Sequence, residues 1–223
     1  DSTTVKWTAN GQNVYVIDSI SHHLLQIINI QTQAIFDHSA YDGFLGITEA
    51  IACNNSKIIA VGGFDDYVRL LVQSDKKWRI LTEMLHETTF TNHQSISLFV
   101  ENGNSFEQRD SSNASLQKTG NKGIKSIKWA PGDKLLASIS AQTPSALFIW
   151  NEEIISLVAV IVFMGPIWKF EWSPVNESLL IASGSGFITL WNPNGIPSMI
   201  SSVDLMRVQD FYWRNDGKAF LIV

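Results

Sequence analysis

The side chains able to do chemistry are few and scattered. Among five histidines, His22 and His23 are adjacent, so a strand would point them to opposite faces. His86-Glu87-Thr88-Thr89-Phe90 opens like the helical zinc-protease motif but carries Phe90 where the second histidine ligand belongs. Structural loop histidines are the better reading, and no metal site is expected. There is no G-x-S-x-G elbow, Walker loop or G-x-G-x-x-G, and Gly184-Ser185-Gly186 reads as a strand-to-strand turn. Asp37, His38 and Asp42 are the one polar grouping whose residue types could serve a reaction. We therefore expect no enzyme, no catalytic residue and no cofactor. The single Cys53 cannot form an intramolecular disulfide and fits a reducing compartment. Three sequons, at Asn54, Asn113 and Asn176, are read as chance in an Asn/Ser-rich chain.

Those residues must be positioned by something, and the composition says what kind of body it is. The chain has 223 residues, 45% hydrophobic, 17% charged and 11% aromatic, with eight tryptophans and net charge -5. Such a chain buries enough apolar surface to offset its conformational entropy, which excludes a disordered tail. Its pI near 5.5 and lack of a dense basic block oppose polyanions, so no nucleic acid is expected. Lys118, Lys122, Lys125, Lys128 and Lys134 read as a solvated loop and strand face. The longest apolar run, Leu157 to Met164, is eight residues, against about 20 for a membrane-spanning helix. Neither a membrane partner nor a small-molecule substrate is expected. The first residue is Asp1 rather than Met, which reads as a fragment or processed form.

The chain repeats itself. Gly123 to Ala137, GIKSIKWAPGDKLLA, aligns with Ile167 to Ala182, IWKFEWSPVNESLLIA, placing Trp129 and Trp172 43 residues apart. A third copy puts Trp213 41 residues later, and the opening VKWTANGQNVYVI puts Trp7 in the same slot. In EAIACNNSKIIAV the slot holds Ala52. A second marker runs in phase, Trp150 and Trp191 being 41 residues apart. Each unit holds about four short β-type runs between Gly, Asn, Asp and Pro turns, with no helical period. A period of about 40 to 45 residues with four strands is that of a β-propeller blade.

The units begin near Val5, Ile47, Ile124, Ile167 and Val208, the last running out at Val223. This gives two blades over residues 1–90, an irregular segment over 91–122, and two blades plus the start of another over 123–223. In the irregular segment Ser95 to Val100 alternates like a strand, Asn102-Gly103 is a hairpin turn, and Arg109 to Lys122 is polar. It is a decayed blade or an insertion, and a hairpin followed by a flexible loop is favoured. Gly62-Gly63-Phe64-Asp65-Asp66 looks like a tight turn in which glycine supplies positive φ and aspartate bonds turn amides. The fold class is all-β, a WD-repeat propeller of about four to five blades belonging to a larger ring.

Several segments carry a more specific resemblance. They are Ser39-Ala40-Tyr41 with Leu45-Gly46-Ile47, Ala60 to Leu70, Trp78 to Glu83 with His86, Gly123 to Ile127, Ala146 to Trp150, Phe170 to Pro174 and Leu190 to Gly195. Their order and spacing, broken by the polar segment, resemble the later part of WD-repeat protein 8, a centrosome and spindle-pole WD-repeat family. The chain departs from it at Ala52 and in the uniformly apolar Leu157 to Met164. The resemblance implies a non-enzymatic scaffold in the cytoplasm and cytoskeleton, at the centrosome or spindle pole body. It implies a coiled-coil microtubule-anchoring partner, a minus-end-directed kinesin in some complexes, and a role in anchoring microtubule minus ends and organising the mitotic spindle. The alternatives are a WD-repeat adaptor of another complex, such as a ubiquitin-ligase substrate receptor or translation factor, and, behind it, a propeller enzyme.

The repeat tryptophans are expected in the core, between blades. Trp78 and Trp168 lie off the repeat and are expected to be exposed; with Tyr41 and Phe44 of the blade-connecting loop they are candidate partner contacts. Leu157 to Met164, as the outer strand of its blade, is apolar on both faces and invites strand addition or docking through Val160 and Val162 by a partner or a second segment of protein.

Overall fold

The computed structural model describes residues 4–17, 24–39, 46–74, 77–90, 96–112, 114–153, 155–184, 186–200 and 208–223. Every regular element among them is a strand, as β-branched and aromatic runs between turn residues demand. The first sheet is β1 (Thr4–Trp7), β2 (Asn13–Ile17), β3 (Leu24–Asn29) and β4 (Ile35–Ser39), in that order and antiparallel throughout. The second repeats the pattern with β5 (Ile47–Ala52), β6 (Ile58–Gly63), β7 (Tyr67–Ser74) and β8 (Lys77–Leu85).

The irregular segment contributes β9 (Thr89–Phe90), the hairpin β10 (Ser97–Asn102) and β11 (Ser105–Arg109), and β12 (Ala114–Ser115). Gly103 turns the hairpin at φ 60°. The polar stretch after it is not a free loop, because β12 returns to pair with β9, Ala114 opposite Phe90. Phe90 is fully buried and Leu116 nearly so, so this pair is pinned by apolar burial.

Next come β13 (Ile124–Trp129), β14 (Leu135–Ser140), β15 (Ala146–Asn151) and β16 (Ser156–Val162), then β17 (Ile167–Trp172), β18 (Leu179–Ser183), β19 (Ile188–Trp191) and β20 (Ser198–Ile200). The chain ends in the hairpin β21 (Phe211–Trp213) and β22 (Phe220–Ile222). The sheet of β13 to β16 is widened to six strands, in the order β11-β10-β16-β15-β14-β13.

By contact density the chain forms two compact units, Asp1–His86 with Gly120–Ile127 and Ser140–Gln142, and the remainder, Glu87–Thr119, Lys128–Ile139 and Thr143–Val223. In the first, Tyr15, Leu25, Ile27, Ala50, Ile59, Val61, Leu71 and Trp78 form one core. The turn after β6 holds this unit together. Asp66, not either neighbouring glycine, takes the left-handed conformation, at φ 65°. Its Oδ1 accepts the Gly123 amide at 2.9 Å and the Ser140 hydroxyl at 2.6 Å, while its carbonyl lies 3.1 Å from His86 Nδ1. Gly62 and Gly63 lie in β6 itself. Glycine at 62 serves close approach, since a Cβ there would fall 2.7 Å from Ile124 Cβ. In the second unit Phe99, Phe106, Ile149, Ile161, Phe163, Phe170, Trp172 and Trp191 belong to one larger core.

Candidate protein-interaction site

The expected edge strand exists, and it is already occupied. β16 is the outer strand of its four-stranded repeat, and β10 pairs with it in parallel, Leu98 opposite Val160 and Val100 opposite Val162. Val160 is fully buried and Val162 half-buried. Phe106 packs edge-on against Phe163 with ring centroids 5.3 Å apart, and the buried Glu101 accepts the Met164 amide at 2.6 Å. The two-faced apolar run is thus satisfied by the chain's own hairpin, and Val160 is not available to an outside partner. Trp78 also differs from expectation: it is 6% exposed because β8 directs it into the first unit's core. Tyr41 and Phe44 lie outside the described residues.

Trp168 is where an aromatic contact is offered. Pairing in its sheet passes from Ile167 opposite Ser183 to Lys169 opposite Ala182, so Trp168 is the extra residue of a β-bulge. A bulge re-aims a side chain that a regular strand would bury. Trp168 is accordingly 41% exposed, with its ring 6.4 Å from that of buried Phe211. Lys169 beside it reaches over Tyr212 at 4.3 Å and Phe211 at 4.9 Å, pairs with Asp210, and donates to the Phe211 carbonyl at 2.7 Å. The Lys169 ammonium, followed by the Tyr212 hydroxyl, holds the Asp210 carboxyl down to about 2, and Asp210 in turn raises the Tyr212 phenol. Met164 and Tyr212 are 74% and 51% exposed. The result is an aromatic surface around one neutralised ion pair, a composition that suits an interface anchor. Sequence reasoning missed Tyr212; its alignment with Lys128 and Glu171, which form an ion pair at 3.3 Å, marks it as an aromatic in a charged slot.

The repeat tryptophans do structural work. Trp129, Trp172, Trp150 and Trp191 are buried. Trp172 Nε1 donates to the Lys128 carbonyl at 3.0 Å and Trp213 Nε1 to that of Glu171 at 3.1 Å, each reaching the residue before the preceding repeat's tryptophan. Trp7, on the first strand, is 60% exposed. At Ala52 the indole is absent, and the buried Tyr15 hydroxyl accepts the Ala52 amide at 3.2 Å. The polar grouping weighed for catalysis does not assemble among the described residues: Asp37 accepts from Gln26 at 3.0 Å, His38 is buried on β4, and Asp42 is undescribed. His86 is buried, which pushes its pKa to about 3. No group of three or more His, Cys, Asp or Glu gathers among the described residues.

The repeated four-stranded sheets define an incomplete set of WD-repeat β-propeller blades. No protein-family model matches the chain. It is 23% identical over 231 residues to the WD repeat-containing protein WRAP73 of Mus musculus, covering 89% of this chain and 50% of that protein. The β-propeller domain of Cps50 (Swd1) from Myceliophteria thermophila matches with a TM-score of 0.55 at 16% identity, over 85% of this chain and 52% of that one. The WD40 repeats of RRP9 match at 0.57 and 10% identity, over 89% and 51%. The chain spans about half the length of each of these proteins. The chain shares the WD-repeat β-propeller fold of these structures.

Proposed function

We propose that the chain is part of a non-enzymatic WD-repeat scaffold of the WD-repeat protein 8 type, working at the centrosome or spindle pole body. In this reading it binds a coiled-coil microtubule-anchoring protein, with a minus-end-directed kinesin joining the complex, and so anchors microtubule minus ends and organises the mitotic spindle. The observation that carries it is the likeness to WRAP73, another name for WD-repeat protein 8, along 89% of the chain. The surface around Trp168, Lys169 and Tyr212 supports it physically, because rigid exposed aromatics suit the apolar seam of a helical partner.

Proximity labelling by the full-length protein in dividing cells, followed by mass spectrometry, tests the reading. Recovery of spindle-pole coiled-coil proteins and a minus-end motor is expected. Recovery of ubiquitin-ligase or ribosomal subunits in their place overturns it and leaves the fold assignment standing.

A further inference from the structure

The first sheet has an open face whose counterpart elsewhere in the chain is covered. β2 and β3 turn Tyr15, Leu25 and Ile27 into the first unit's core. The opposite face carries Val5, Trp7, Val14, Val16 and Ile28, because Val5 pairs with Val16, Trp7 with Val14 and Val14 with Ile28. Val5 and Trp7 are 63% and 60% exposed. The same register in β17 to β19 pairs Phe170 with Ile181, Trp172 with Leu179 and Leu179 with Trp191. All five of those residues are buried, in one core with Ala137, Ile149 and Ile161 of the preceding repeat, and Trp172 Nε1 donates to that repeat's Lys128 carbonyl. What covers this face, where it is covered, is the preceding blade.

The hairpin β21–β22 carries the complementary surface. Phe211, Trp213, Phe220 and Ile222 pack against β18 and β19, so Tyr212, Leu221 and Val223 face the other way. Leu221 and Val223 are 62% and 49% exposed. Their counterparts in the preceding repeat are Leu180 and Ala182, since Tyr212 pairs with Leu221 as Glu171 pairs with Leu180. Leu180 and Ala182 are buried under the hairpin, and the Glu171 carbonyl accepts Trp213 Nε1. Consecutive repeats are thus joined by an indole that donates to the carbonyl of the residue before the preceding tryptophan. Applied to the two open faces, the rule pairs Trp7 Nε1 with the Tyr212 carbonyl.

We propose that the chain self-associates head to tail. Val5, Trp7 and Val14 of one copy pack on Leu221 and Val223 of a second, and the Trp7 indole donates to the second copy's Tyr212 carbonyl. A second copy is the occupant because both halves of the joint lie exposed on this one chain, each in register with a joint the chain makes internally. The contact is heterologous, each copy giving a different surface, and two copies that exchange it form a closed pair. The proposal goes beyond the spindle-pole reading and does not depend on it.

Sedimentation equilibrium of the chain at about 100 μM tests the proposal. A species of twice 24.9 kDa is expected. Trp7→Lys and Leu221→Lys, both at exposed positions, should each sediment as a monomer with unchanged circular dichroism. An equimolar mixture of the two should regain a dimer, because one variant keeps its Leu221 face and the other its Trp7 face; that recovery also shows that both are folded. Trp7→Phe, which keeps an aromatic ring and loses the donor, should weaken association about fivefold or more. A monomeric parent chain would assign the open face to a blade of another polypeptide and overturn the proposal, as would a dimer indifferent to both lysines or a mixture that stays monomeric.

Discussion

Two outer strands of this chain, β16 and β4, occupy the same place in their repeats and end differently. β16 carries Leu-Val-Ala-Val-Ile-Val, apolar on both faces, and is covered by β10. β4 alternates, with Phe36 and His38 turned inward and Asp37 and Ser39 outward, and is the last strand of its sheet. The lesson is energetic. At about 25 cal/mol per Å² of apolar area, a strand with a second apolar face recruits a cover, whereas a strand with a polar second face is stable beside water. The sharpest way to break the comparison is a buried charge. Val160→Lys should cost at least about 4 kcal/mol and melt the six-stranded sheet, because the ammonium would lie unpaired beneath β10. Urea unfolding measures it, and an unchanged midpoint would mean that β10 does not cover β16 in solution.

The hairpin is fastened by a polar contact as well as by area. Glu101→Ala removes the acceptor of the Met164 amide and should cost about 2 kcal/mol, read as faster hydrogen exchange in β10 and β11 before β14 or β15. If all four exchange alike, the hairpin is an integral part of the blade rather than a cover laid on it.

Acid should separate the two edges. The described strands β10 and β16 carry no histidine, while His38 lies on β4 and His86 follows β8. Burial lowers both pKa values, aided at His38 by Arg69, and takes His86 to about 3. A histidine held neutral when folded gains its proton more readily when unfolded. Between the ordinary 6.5 and the depressed folded value the unfolded chain therefore binds more protons, and stability falls as pH falls through that window. The slope is about 1.4 kcal/mol per pH unit from His86 alone. Hydrogen exchange at pH 7 and pH 5.5 should show β4 and β8 losing protection while β10 and β16 keep theirs. Equal loss in both units would tie the effect to other groups.

The blades were legible because their markers recur: tryptophans at a spacing of 41 to 43 residues occupy equivalent strands, and turn residues fall between them. The apolar excess of Leu157 to Met164 was legible as a need for cover. What supplied that cover was not, because parallel pairing of β10 across more than fifty intervening residues leaves no local pattern. Trp78 misled for a related reason: an aromatic off the repeat can still face the core when strand alternation puts it there. Trp168 is off the repeat in a different sense. It fills a bulge, and a bulge is a property of the pairing of two strands that neither sequence declares.

The smallest expected effect concerns that bulge. The second sheet has the same irregularity, its pairing passing from Ile47 opposite Gly63 to Glu49 opposite Gly62, and there the extra residue is Thr48, whose hydroxyl donates to the Gly62 carbonyl at 3.0 Å. The position therefore accepts a small residue without loss of the bulge, and the indole at 168 exceeds what the backbone needs. Trp168→Thr should cost about 1 kcal/mol or less, the value of partial burial against Phe211. Capture of a spindle-pole coiled-coil partner by the full-length protein should fall about tenfold or more if Trp168 is an anchor. Undiminished capture with an unchanged melt would move the partner contact off this bulge, whereas a melt lowered by several kcal/mol would show that the ring belongs to the core and that its exposure is incidental.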